Sequence, residues 1–240
     1  MKITYQLITI AGGNCTAVVD GQYYRALKQK INQKIFTTNR LVEQIGYLYR
    51  KGATGNWFFE MMGNDFSGNG CLAATATLLR FKKGDINFQT TGSKSLIQGQ
   101  FGNQKAQTIL TDDLSPRKQL PIKLLGTYFW LAESQGGIKE ARKILTTSRN
   151  KFKAVGIIFF QKTQEKQIKI NPFFYVRETK TIVNETACGS GSVAAAIYCG
   201  QRNLEVVQPT GESISVNLGQ KQVKLCAKVE LLGKSRIKMV

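Results

Sequence analysis

Two stretches, SGNGCLAA (Ser67–Ala74) and CGSGSVAA (Cys188–Ala195), share one form: a hydroxyl or thiol, a Gly-x-Gly turn, then small apolar residues. Glycines let the backbone turn tightly, and the alanines that follow propagate a helix with little side-chain bulk. Such a helix can be buried inside a small sheet barrel, with its first N–H groups unpaired at its positive end. The two stretches lie 121 residues apart in a chain of 240, half its length. A repeat on that scale argues for an internal duplication.

The flanking sequence supports the same division. Alternating or β-rich runs occur at 3–10, 14–19, 43–49, 57–62, 86–91, 95–101 and 106–111. They return at 122–131, 154–161, 167–176, 204–208, 213–218 and 222–231. Helical spacing appears at Tyr23, Leu27, Ile31 and Ile35, and again at Ile138, Ala141, Leu145 and Phe152. The polar stretch Thr111–Pro121 separates the halves. The expected architecture is α+β: two pseudo-symmetric domains, each a mixed barrel-like sheet around a central helix. Residues 1–113 form the first and 121–229 the second, with a last strand near 230–240 expected to return to the first.

Composition narrows the chemistry. The chain has no histidine, which excludes Ser-His-Asp and Cys-His catalysis and every His-containing metal site. Its five cysteines, 15, 71, 188, 199 and 226, form no CxxC pair, so neither a zinc site nor a disulfide framework is expected. Reduced thiols in a cytoplasmic protein fit this usage. The net charge of +19 suits an anionic partner. Apart from Arg80–Lys83, however, the basic residues are scattered singly, so a solvated surface is expected rather than a nucleic-acid or membrane partner. The opening MKITYQLITIAG is too polar for a signal-peptide core and reads as a strand.

A thiol at a helix N-terminus is expected to have a lowered pKa, which makes Cys188 a candidate proton-transfer group. Cys15, Cys199 and Cys226 read as small buried hydrophobes, and Cys71 lies one turn too far along its helix to replace Ser67. Gly68 to Ala73 and the Gly-Ser-Gly-Ser-Val-Ala run also satisfy the loose GxGxxA pattern of dinucleotide folds, but they come late in strand-rich segments rather than after a first strand.

MMGNDFSGNGCLAA (Met61–Ala74) and NETACGSGSVAAA (Asn184–Ala196) resemble the two active-site motifs of the diaminopimelate epimerases and their relatives. AGGNCTAVV (Ala11–Val19) and VEQIGYL (Val42–Leu48) are similar to that family's asparagine and acidic-Gln segments, so the likeness runs from end to end. The nearest likeness within the superfamily is to the histidine racemases. The resemblance implies racemisation with no pyridoxal phosphate and no metal, by two thiols flanking the α-carbon, in a homodimer. It implies Cys188 as one catalytic residue, with Asn14, Glu43 and Gln44 contacting substrate and Glu43 meeting a basic side chain such as imidazole. Glu185 is a further candidate. The N–H groups around Gly68, Asn69, Gly70, Gly189, Ser190 and Gly191 are expected to hold the carboxylate.

The chain departs from the family pattern twice. Thr179 and Lys180 stand where the epimerases carry a Glu-Arg pair for diaminopimelate, and Arg177-Glu178 is offset and reversed, which favours a smaller amino acid. Ser67 stands at the first catalytic cysteine. A serine without an adjacent base cannot cycle as acid and base near neutral pH, so Ser67 is expected to impair turnover and reads as an engineered Cys→Ser substitution. A diaminopimelate epimerase and a non-catalytic amino-acid-binding module of the same fold stand as alternatives. Cys188 argues against an isomerase of the phenazine-biosynthesis type.

Overall fold

The structure, a computed structural model, describes residues 1–52, 55–111, 119–148, 152, 154–176 and 181–239. In the first half the order is β1 (Lys2–Ile10), β2 (Gly13–Asp20), α1 (Arg25–Thr38), β3 (Val42–Lys51), β4 (Asn56–Met61), α2 (Gly68–Leu78), β5 (Gly84–Thr90), β6 (Ile97–Gly102) and β7 (Lys105–Leu110). In the second half follow β8 (Ile122–Leu124), β9 (Thr127–Glu133), α3 (Ile138–Ser148), β10 (Ala154–Gln164), β11 (Gln167–Val176) and β12 (Thr181–Asn184). The chain then runs through α4 (Gly189–Cys199), β13 (Asn203–Val207), β14 (Ser213–Leu218) and β15 (Val223–Lys238). Apart from β12, the second half repeats the first element by element. Even the strand directions repeat: β2–β3 and β9–β10 are parallel across a helical crossover, as are β4–β5 and β11–β13.

The strands follow the order β1-β2-β3-β4-β5-β6-β7-β15-β14-β13-β11-β10-β9-β8. β15 joins the two sheets. Its first part lies between β7 and β14, while its second part pairs with β1 from Val229↔Ile10 to Lys238↔Lys2, which closes the first sheet into a barrel. The strand expected to return to the first half is therefore the end of one long strand rather than a separate element.

Each sheet wraps a helix. Every residue of α2 from Gly68 to Ala76 and of α4 from Gly189 to Ile197 is buried, which an amphipathic surface helix could not tolerate and a helix of glycines, alanines and a few aliphatics can. Close approach is required on the sheet side as well. A Cβ on Gly99 would lie 2.5 Å from the Thr75 Oγ1 of α2. The amphipathic helices lie outside, where α1 buries Ile31 and Ile35 against Tyr47 and Val19, and α3 buries Ala141 and Leu145 against Val155 and Phe159.

Three expectations need correction. The run 122–131 is two strands, because Leu125 and Gly126 take positive φ and reverse the chain. Phe152 lies beyond α3, and its ring packs 4.0 Å from that of Tyr128 instead of extending the helical stripe. The four-residue β12, which pairs with β11 just before the second glycine motif, was not anticipated. The linker expected over Thr111–Pro121 falls largely on 112–118, outside the described residues.

Candidate active site

The two central helices meet at their N-terminal ends. Ser67 caps α2 with φ −131° and ψ 119°, and Cys188 caps α4 with φ −138° and ψ 100°, so the two side chains occupy equivalent places. Each receives the N–H three residues on: Gly70 donates to Ser67 Oγ at 3.0 Å and Gly191 to Cys188 Sγ at 3.2 Å. Across the junction, Gly68 N–H donates to Ser190 Oγ at 3.0 Å and Gly189 N–H to Asn69 Oδ1 at 2.9 Å. Asn69 Nδ2 also donates to the Ala187 carbonyl.

This contact alters the reading of the glycines. A Cβ on Gly68 would lie 3.0 Å from the Gly189 carbonyl carbon and the Ser190 nitrogen, and one on Gly189 2.9 Å from Asn69 Oδ1. Gly70 faces Phe59 and Met61, and Gly191 faces Ile158. The glycines make room for the opposite helix and the barrel walls rather than for a ligand directly. They also reduce the set of free donors. The N–H groups of Gly68, Gly70, Gly189 and Gly191 are occupied, and those of Asn69 and Ser190 have no partner among the described residues. One free donor per helix remains at the shared positive end.

The substrate-contacting candidates surround Ser67. Its hydroxyl donates to Gln44 Oε1 at 2.8 Å, and Gln44 Nε2 donates to both Asn14 Oδ1 and Thr16 Oγ1 at 2.7 Å. Asn14 Nδ2 donates to Glu43 Oε2 at 3.3 Å. Glu43 then bridges to the second half, accepting from the Thr186 hydroxyl and, at 3.3 Å, from the Thr186 N–H. Thr186 Oγ1 in turn accepts from Asn14 N–H at 2.6 Å. Without the resemblance, Glu43 and Gln44 would pass for a solvated strand edge; both are half-buried parts of this network.

Cys188 does not behave as its helix position suggested. Its thiol lies well above the ordinary value: burial pushes it up most, followed by the charge of Glu185 and a side-chain hydrogen bond with Glu185, while Glu43 adds to the effect. The Gly191 N–H acts the other way and is outweighed, because removing a thiolate from water beside two carboxylates costs more than one helix end returns. Glu185 itself is raised to about 7, by burial first, against the lowering effect of its bond to Cys188, and then by the charges of Glu43 and Asp65. Burial likewise raises Glu43 and Asp65. Among the described residues no lysine or arginine is a cause acting on these three carboxyls. Converging acids in a chain of net +19 are suited to a ligand that brings its own positive charge.

Of the predicted residues, the structure brings together Asn14, Glu43, Gln44, Ser67, Cys188, Glu185 and both glycine turns; residues 177–180 lie outside the described residues. Sequence reasoning missed three. Thr186 ties the two halves together, Asp65 adds charge beside Glu185, and the fully buried Gln208 accepts the Cys188 N–H at 2.9 Å while donating to Ser192 Oγ and the Val206 carbonyl. Thr186 and Asp65 lie inside the quoted motifs; Gln208 carried no sequence signal. The remaining cysteines are distant in role, with Cys71 pushed up to about 12 by complete burial and Cys15 to about 11 by burial and Glu43. No cluster of metal-ligating side chains occurs among the described residues, and no helix there is long and apolar enough to cross a membrane.

No family model matches the chain. It is similar to the histidine racemases of two strains of Fusobacterium nucleatum subsp. nucleatum, at 25% and 26% identity, covering 83% of this chain and 84% and 83% of theirs. Among solved structures, a phenazine biosynthesis protein of the PhzF family from Enterococcus faecalis aligns over 100% of both chains with a TM-score of 0.67 at 14% identity. One described as a predicted epimerase from Pseudomonas aeruginosa aligns over 99% of this chain and 100% of that one, with a TM-score of 0.63 at 14% identity. Two half-molecules built to one plan, each wrapping a glycine-started helix, are thus the α+β fold that this chain shares with the PhzF-family and epimerase structures.

Proposed function

We propose that this chain is a cofactor-independent amino-acid racemase acting on histidine, held back in its present form by Ser67. The observation that carries the reading is the pairing of Ser67 and Cys188 as equivalent caps on two helices whose positive ends touch. The likeness to histidine racemases over most of both chains supports the substrate.

In this reading the substrate carboxylate lies against the free N–H groups of Asn69 and Ser190. Negative charge that builds on it as the α-proton leaves is stabilised there by fixed donors that need no reorganisation. Cys188 takes the α-proton from one side, and Glu185, hydrogen-bonded to the thiol, accepts the thiol's proton as the thiolate is needed. A thiol at position 67 would return a proton from the other side. Glu43 receives the imidazole, and Asn14 and Gln44 order the substrate around it.

One observation favours a second reading, a non-catalytic amino-acid-binding module: Ser67 donates to an amide oxygen, which cannot take its proton. Incubating L- and D-histidine with the chain and with Ser67→Cys, then separating the enantiomers chromatographically, distinguishes the two. Racemisation by the cysteine form establishes the enzyme. Tight histidine binding with no inversion by either form establishes the binding module.

A further inference from the structure

The two caps are alike in backbone and unlike in chemistry. Cys188 has an ionisable partner, Glu185, with which it shares a side-chain hydrogen bond. Ser67 has none: its hydroxyl donates to the Gln44 amide, whose NH₂ is in turn committed to Asn14 and Thr16. One cap has beside it a group that can take its proton, and the other is bonded to an amide that cannot.

We infer that the chain as it stands is a one-base catalyst, which exchanges the α-hydrogen of a single enantiomer of its amino acid with solvent and retains the configuration. This rests on the racemase reading above and adds the stereochemical outcome. The thiol's own proton first passes to ionised Glu185 and on to water, leaving the thiolate; the Cα–H bond then breaks and its proton joins Cys188 Sγ, while the bonding pair delocalises into the carboxylate held at the helix ends. The Sγ–H proton passes to Glu185 and on to water. A solvent proton returns by the same path, the Sγ–H bond breaks and a new Cα–H bond forms on the face that lost the first. Nothing is oxidised or reduced, and the only net change is of one hydrogen for another. Inversion needs a donor on the Ser67 side, and a serine that delivers its proton becomes an alkoxide, with no hydrogen-bonded base or cation beside it among the described residues.

Glu185 acts through Cys188 and is thus a positioning residue, and its removal should affect the pH profile as well as the rate. The groups that face it are Cys188, Glu43 and Asp65. Burial, the first cause, raises its carboxyl to about 7, so exchange should increase through neutrality as Glu185 ionises.

The test incubates the chain separately with L-histidine and D-histidine in D₂O, with a panel of other common amino acids in parallel. Proton NMR follows the α-hydrogen and chiral chromatography follows inversion, with circular dichroism of each variant as a folding control. One enantiomer should lose its α-proton signal at least about 100-fold faster than it inverts, the scale of one positioned acid-base group. Ser67→Cys should make exchange and inversion keep pace. Glu185→Gln should slow exchange by about 100-fold and flatten its dependence on pH near 7. Inversion by the native chain as fast as exchange, equal exchange of both enantiomers, or a Glu185→Gln protein with the native rate and pH profile would each overturn the inference and leave the racemase reading standing. So would a Ser67→Cys protein that racemises while the native chain exchanges nothing. Silence of both forms on every amino acid overturns the inference and the racemase reading together.

Discussion

Cys188 illustrates how a residue's chemistry depends on neighbours that the sequence does not reveal. From position alone, a helix cap should ease ionisation; in place, burial and two carboxylates make ionisation harder. In the proposed racemase the thiol is consequently a resting proton store whose thiolate is generated on demand, with Glu185 as the acceptor. If Glu185 is the acceptor, α-hydrogen exchange by Ser67→Cys should rise with pH through about 7 and level off once the carboxyl is ionised, as measured by initial rates from pH 5.5 to 8.5. A profile that instead climbs steadily toward the ordinary thiol range would mean that Cys188 ionises without help. That Ser67, Asn14, Glu43 and Gln44 gather near Cys188 was legible in the sequence. The direction of the Cys188 shift was not, because it depends on desolvation, and desolvation depends on what the whole barrel covers.

At the scale of elements, the two glycine-started helices were legible because their pattern is local: a cap, a Gly-x-Gly turn and a run of small residues. Their end-to-end contact was not, since nothing local says that Gly68 faces Gly189. Gly68→Ala should therefore act as overpacking of helix against helix, costing about 1–3 kcal/mol in urea unfolding, because the new methyl meets backbone that has little freedom to yield. The same substitution pushes the caps apart, so a loss of binding larger than the loss of stability is also expected, read by calorimetric titration with histidine. Gln208 makes the complementary case. Its amide satisfies the Cys188 N–H, the Ser192 hydroxyl and a carbonyl in a fully buried place. Gln208→Ala leaves the buried Cys188 N–H without its acceptor and strips one bond each from the Ser192 hydroxyl and the Val206 carbonyl, and should cost about 2–4 kcal/mol in the same measurement. Nothing singles out Gln208 in advance: it closes the β-rich run 204–208 as a polar residue, with no sign of the N–H it accepts. β12 was missed for a related reason: four residues are too few for an alternation to register.

At the scale of the molecule, the duplication was legible from one spacing of 121 residues, and the closing strand partly so. The single strand serving both sheets was not, because sharing is a property of the assembled barrels rather than of the strand. The whole-molecule charge has a consequence for stability that can be separated from the site. Glu43, Asp65 and Glu185 all have folded-state carboxyls raised above their usual values, with burial as the first cause each time. Below about pH 4 such groups are neutral in both folded and unfolded chains and cost nothing. As pH rises, the unfolded chain ionises first, so the folded state loses stability progressively until each folded carboxyl has titrated; for Glu185 the window runs from about 4.3 to about 7. Repulsion within a chain of net +19 also changes over that range, since protonating acids raises the charge. The difference between the native chain and Glu185→Gln largely cancels this background. The glutamine form should match the native chain at pH 4 and exceed it by on the order of 2 kcal/mol at pH 7.5, measured by urea unfolding at both pH values. A constant difference across that range would show that Glu185 ionises as freely in the folded chain as in the unfolded one. The site would then lack the buried acid on which its proton chemistry depends.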